Sequence, residues 1–147
     1  MSQFSIEEIR EHLQDFPSKN FLLDEEEFTD DQIAIGFRDA VDSFNSFPPA
    51  HIMFVGGFTN PTLKSIILEG TLARIYRGKA LQQLRNQLDF QDGGAAGSID
   101  NKGQFYQQIA EQFSQNFERR SRDWKQFTNI NQGFGSLGSD YQTLPQY

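Results

Sequence analysis

The chain has 147 residues, enough for one domain with a buried core, and carries 20 acids against 13 bases for a net charge of −7 at pH 7. With no cysteine and two histidines, it excludes a disulfide framework and a thiolate zinc site and leaves any imidazole chemistry to His12 and His51. The amino terminus lacks the basic-then-apolar pattern of a secretion signal, and the longest apolar run, 52–55, is far too short to cross a bilayer, so a soluble, non-secreted chain with no membrane partner is expected.

The first helix is expected to begin at "SIEE", where Ser5 and Glu8 have the spacing of a capping box. Ile6, Ile9, Leu13 and Phe16 then mark one face, and Pro17 stops it. A second box, Thr29 and Gln32, opens the next helix, with Phe28 placed to staple onto Ile33. Ile33, Phe37, Ala40, Phe44 and Phe47 repeat at spacings that keep them on one stripe, and Pro48 and Pro49 end the element. "HIMFVGGF", 51–58, is short, apolar and glycine-broken, which suits a strand or a close-packed connection.

Asn60 and Pro61 are a cap and a first-turn residue, and the apolar positions from Leu63 through Ile66, Ile67, Gly70 and Ala73 to Leu88 predict a long third helix, about 40 Å at ~1.5 Å per residue. The stretch "DFQDGGAAGSIDNKGQ" interrupts it. Its carboxylates fail the spacing of a calcium loop, and the glycines lack the lysine and hydroxyl residue of a phosphate loop. It is therefore expected to be structural, with Asp92, Gly93 and Gly94 releasing the helix and residues 95–100 making a short hairpin or loop. A fourth helix starts near Asp100 or Asn101 and carries Phe105, Ile109, Phe113, Phe117, Trp124 and Phe127 to before Gly133. Arg119, Arg120, Arg122 and Lys125 cluster in its second half, where the helix dipole favours cations.

Beyond it the composition changes to glycine, serine and glutamine with no repeating apolar face. The organisation expected is a mainly α, four-helix domain over 1–133, with a short loop or hairpin between the two long helices, and an extended tail over 134–147. Phe134, Leu137, Tyr141, Leu144 and Tyr147 are the residues that would anchor such a tail to a partner. Fifteen phenylalanines in a chain this short suggest more apolar material than one small core consumes.

No catalytic constellation emerges. His12 stands in an acidic helix and His51 follows a double proline, settings in which a lone histidine is ordinarily a surface or packing residue. HExxH, GxSxG and GxxxxGK[ST] patterns are absent. "LLDEEEFTDD" has carboxylates enough for a cation but neither the ligand spacing nor the glycine of an EF-hand, and reads as a solvated approach to a helix. No catalytic residue, cofactor or metal is expected, and an enzyme using carboxylates and a metal is the least favoured reading. Residues 1–50 hold 12 acids and 3 bases, and 51–147 hold 8 acids and 10 bases, so the acidic half is a soluble surface or one that meets a basic neighbour, not a nucleic-acid grip.

The succession "DEEEFTDDQIAIGFRDAVDSFNSFPP", a long helix with "LRNQLDFQDGG", then "IDNKGQFYQQIAEQF" and a glycine-rich ending resembles small virion proteins of tailed bacteriophages over residues 22–141. It is similar to the head-tail connector, or neck adaptor, family. The resemblance implies a helical core and a homo-oligomeric ring, twelve copies in that family, seated beneath the portal protein. It further implies tails or loops engaging neighbouring subunits or other neck and tail proteins, non-specific contact with passing DNA, and a place in the virion after assembly in the host cytoplasm. A closed ring needs two unlike, complementary patches on one chain. The acidic first half and the cluster Arg119, Arg120, Arg122 and Lys125 would supply them, guiding register more than adding affinity. The alternatives are a tail or baseplate ring protein and a non-viral helical interaction adaptor.

Overall fold

The computed structural model describes residues 5–20, 25–54, 60–85, 89–92, 95–98 and 102–134. Four helices and one hairpin follow in order: α1 (Ile6–Leu13), α2 (Asp30–Ser46), α3 (Pro61–Arg85), β1 (Asp89–Asp92), β2 (Ala95–Ser98) and α4 (Lys102–Phe134). The chain is mainly α, as its periodicity predicts.

Helix starts follow the local chemistry. Ser5 accepts a hydrogen bond from the Glu8 amide at 3.2 Å, while the Glu8 carboxylate pairs with Lys64 at 2.5 Å. Thr29 and Gln32 form the full reciprocal box, an arrangement worth about 1 kcal/mol per cap. The Asn60 side chain accepts from Thr62 at 2.8 Å, ahead of Pro61 at the first helical position. α1 stops at Leu13, ahead of the expected stop at Pro17, because Gln14 adopts a left-handed conformation (φ 56°) and its backbone N–H turns back to the carbonyls of Arg10 and Glu11.

That early stop lets Asp15 turn inward. Its buried carboxylate accepts from the amides of Glu27 (2.6 Å) and Phe28 (2.8 Å), the Asn20 side chain (2.7 Å) and the Arg10 guanidinium (3.2 Å). Arg10, itself buried, also reaches Glu26 at 2.8 Å and Asp30 at 2.5 Å. Much of the acidic approach to α2 is thus turned onto one arginine, which ties α1 to the start of α2.

α3 is apolar on several faces because α2 and α4 both pack against it. Ala40, Phe44, Ile66, Ile67 and Phe117 form one core cluster, with Phe37, Phe47 and Trp124 packed on its margin; Ile9, Phe28, Ile33 and Ile75 form a second beneath α1. Leu84 lies against Gly103, Phe117 against Gly70 and Arg120 against Glu69, so α3 and α4 run antiparallel. The buried stripe of α4 is Gly103, Ala110, Phe117, Ser121 and Lys125. Of the phenylalanines expected to line it, Phe105 and Phe127 are exposed, at 63% and 65%, because each stands two positions, about 200° of helix turn, from a residue of that stripe.

The hairpin between the long helices begins earlier than expected. β1 occupies 89–92 and pairs antiparallel with β2, Asp92 opposite Ala95 and Asp89 opposite Ser98. Gly93 and Gly94, which join the strands, and residues 99–101 lie outside the described residues. α4 passes Gly133 and ends at Phe134, one residue into the segment expected as tail. Residues 51–54 form no strand.

Phe44 is fully buried whereas Phe37 is only partly so. Phe44→Ala should therefore cost about 3–5 kcal/mol and Phe37→Ala distinctly less; equal shifts of the urea midpoint in the two variants would contradict this packing.

Candidate assembly interface

The basic cluster of α4 divides in two. Lys125 is withdrawn from the surface altogether: its side chain is fully buried, and its Nζ donates to the carbonyls of Phe47 (2.6 Å) and Asn45 (3.3 Å), 4.8 Å from the centre of the Phe44 ring. A helix end leaves its last carbonyls without amide donors. After α2 come Pro48 and Pro49, neither of which has an N–H to offer, and the lysine from α4 supplies the protons instead. Burial lowers the Lys125 pKa.

Arg120, half-buried, is paired across the helices with Glu69 at 2.5 Å and Ser65 at 3.1 Å. Arg122 lies 5.4 Å from the Phe47 ring and 3.9 Å from Glu118, and Arg119 reaches, among the described residues, only Asn116, at 3.4 Å. The expected four-residue interface is corrected accordingly: Arg119 and Arg122 remain exposed, while Lys125 and Arg120 hold helices together. Cations left over stand on α2, where Arg38 is exposed and makes no ion pair among the described residues, and on α3. Arg77 and Arg85 make no ion pair among the described residues, and Arg74 touches only the Ser43 hydroxyl, at 2.7 Å.

Several apolar side chains reach the surface among the described residues, Ile35, Met53 and Phe105 included, and two apolar features bear on assembly. The register of α3 on α4 places Pro61 level with the Lys125 turn, so the last two turns of α4 extend beyond the start of α3. Phe127 and Ile130 on that overhang are 65% and 54% exposed. The second is a groove of about 700 Å³ between α3 and α4, closed at one end by Phe47 and floored by small residues such as Ala73, Ala80 and Ala110. Arg74 and Arg77 edge it from α3, Glu111 and Glu118 from α4, and Leu81, 64% exposed, stands at its far end.

The tail residues Leu137, Tyr141, Leu144 and Tyr147 lie outside the described residues, as do Gly93, Gly94 and the side chain of Phe134; Asp92 is the last residue of β1. His12 and His51 are both exposed. The carboxylates that could have gathered a cation are committed elsewhere. Asp15, Glu26 and Asp30 surround Arg10, and Glu27 meets Lys79 and the Tyr106 hydroxyl, each at 3.1 Å. The nearby Tyr76, sandwiched between Phe113 and Tyr106 with Phe28 at its edge, has its pKa raised by burial and then by the charges of Glu27 and Asp15. Among the described residues no helix is long and apolar enough to cross a membrane. Comparison with protein families, with curated proteins and with solved structures finds no match.

Lys125→Met keeps the bulk of the side chain and removes the donor, and should cost about 1 kcal/mol, the net worth of hydrogen bonds to partly buried carbonyls. Between the lowered folded pKa and 10.5 the unfolded chain retains a proton that the folded chain has released, so the contribution of this group to stability rises with pH there. The advantage of wild type over Lys125→Met in urea unfolding should widen as pH climbs towards 10.5; a constant gap would mean that the amine is solvated.

Proposed function

We propose that the chain is a structural, non-catalytic ring component of a tailed-phage virion, built into the head-tail connector between the portal protein and the tail. The observation that carries this reading is the overhang of α4: a helix that outruns its own core, exposes Phe127 and Ile130, and leads directly into a segment bearing Leu137, Tyr141 and Leu144. Large apolar side chains outside the core are what a lasting interface needs at its centre. The likeness of "DEEEFTDDQIAIGFRDAVDSFNSFPP" and "IDNKGQFYQQIAEQF" to small virion proteins supplies the setting.

On this reading copies close head to tail into a ring, twelve in the family resembled, with portal and further neck or tail proteins above and below. DNA passes through it, and the net charge of −7 disfavours retention of the phosphate backbone, so contact with DNA is transient and non-specific.

The test is imaging of purified, DNA-filled particles at a resolution that traces this chain. A closed ring at the head-tail vertex is the expected result, and absence of the chain from complete particles overturns the reading. Removing residues 135–147 should leave helical circular dichroism and the urea midpoint unchanged while sharply lowering incorporation into particles. Normal incorporation of the shortened chain would show that the segment is not an assembly element.

A further inference from the structure

We infer that the outer face of α4 is a self-complementary seam on which two copies of the chain pair antiparallel about a two-fold axis. The pairing describes the chain before it joins any larger body. An isologous contact closes on two copies and builds no ring, so the inference stands or falls apart from the virion reading.

The seam shows first in where apolar side chains are left outside the core. Eight large apolar side chains are exposed among the described residues, and four of them, Phe105, Ile109, Phe127 and Ile130, stand on α4. At ~100° per residue all four fall within about 40° of one line. That line lies on the side of the helix away from Gly103, Ala110, Phe117 and Ser121. Gln112, Asn116, Arg119 and Asp123 continue it between the apolar ends. The steps are of three and four residues, the repeat by which one helix packs along another, and they run for about 37 Å.

The order of residues along the line identifies the occupant. Measured outward from the midpoint between Phe117 and Glu118, the positions match in pairs: Asn116 with Arg119, Gln112 with Asp123, Phe105 with Ile130. A second α4 running the opposite way brings each pair level. Phe105 then covers Ile130 of the second copy, and Ile109 comes beside its Phe127.

In the centre every charged group meets an amide. Arg119 donates to the side-chain oxygen of Asn116, a group it already contacts at 3.4 Å within its own helix, and Asp123 accepts from the Gln112 side chain. Neither Arg119 nor Asp123 has an ion pair to give up among the described residues. A parallel pair would set arginine against arginine and aspartate against aspartate at the same level, where like charges repel most. The antiparallel pair offsets the arginines by about 4.5 Å along the axis and the aspartates by about 16 Å. An unrelated apolar helix would cover the ends of the seam but leave both charges covered without partners, which is costly.

The test is sedimentation equilibrium of the full-length chain over a range of concentrations. A dimer that grows no further is expected, its Kd raised at least about tenfold by Phe105→Ser and by Ile130→Ser. Ile35→Ser, at an exposed apolar position of α2, should leave the Kd unchanged. Each variant is first checked for wild-type helicity, and for urea midpoint at a concentration where the chains are monomeric. Because the chain has no cysteine, introduced thiols report contact without background. Tagged Gln112→Cys chains mixed with Asp123→Cys chains should be joined by a short bis-maleimide, whereas Gln112→Cys chains alone should not, their thiols lying about 16 Å apart along the axis. Joining of Gln112→Cys chains to one another without the mixed product means parallel pairing and overturns the inference. So does a chain that stays monomeric up to its solubility limit, or association that Phe105→Ser and Ile130→Ser leave unchanged. A seam dimer from a chain absent from complete particles keeps the inference and removes the virion assignment; a monomer that forms a ring in particles does the reverse.

Discussion

The Phe117 ring rests where a side chain of residue 70 would be. A Cβ built on Gly70 would come within 2.7 Å of that ring and 3.1 Å of the Ala40 methyl, so the bare backbone of α3 is the condition on which α2 and α4 both close. In α3 a glycine costs about 1 kcal/mol of helix propensity against alanine, and the close contact offsets it. With that contact fixed, antiparallel geometry sets the rest of the seam: Leu84 falls over Gly103, where a Cβ would meet it at 2.9 Å, and Arg120 falls beside Glu69. The same register decides where α3 begins relative to α4, and hence that α4 runs on past it. Both surface features assigned to assembly, the groove and the overhang, descend from one residue without a side chain.

Around this apolar seam the fold is tied by cations placed where carbonyls or carboxylates converge. Arg10 gathers Asp15, Glu26 and Asp30, and Lys125 closes the end of α2. Buried charge stabilises little in net terms unless each polar atom is met, and Asp15 is met by four donors. Such ties act by direction as much as by energy. An apolar face can slide by a turn and still be buried, whereas two backbone carbonyls at the end of one helix accept a lysine from one position only. The concentration of acids in the first third of the chain thus serves the fold near α1 as well as the surface.

α2 was legible because its signals are local: the capping box, the stripe and the double proline lie within the element itself. The hairpin was foreseeable from its glycines, although its start at Asp89 was not, because a strand of four residues leaves almost no periodic pattern to read. α4 misled for a different reason. Its phenylalanines suggest the buried face, but the stripe that faces α3 runs through Gly103, Ala110, Phe117 and Ser121, and Phe105 and Phe127 fall on the opposite side of the helix. Small residues seven and then eleven positions apart, Gly103, Ala110 and Ser121, were the signal, masked by a hydrophobicity scale that ranks rings above glycine. The burial of Lys125 could not be read at all, since it depends on carbonyls some 80 positions away in sequence. Nor does a run of four basic residues reveal which of them will find partners inside.

That redistribution of charge alters the physics of self-association. Had Arg119, Arg120, Arg122 and Lys125 stood free, a compact cationic patch would have faced the acidic half of a neighbouring copy, and assembly would have been steered mainly by long-range attraction, strongly weakened by salt. With Lys125 buried and Arg120 paired to Glu69, the exposed cations are dispersed along α2, α3 and α4 and accompanied by Leu81, Phe127 and Ile130. Such surfaces attract weakly at a distance and hold by burial at contact. On the proposed assembly, an acidic chain with apolar side chains exposed at defined places would resist indiscriminate clustering and associate where shape brings those side chains to cover. Under the proposed function, that ordering of forces favours addition at an incomplete site over premature growth in solution.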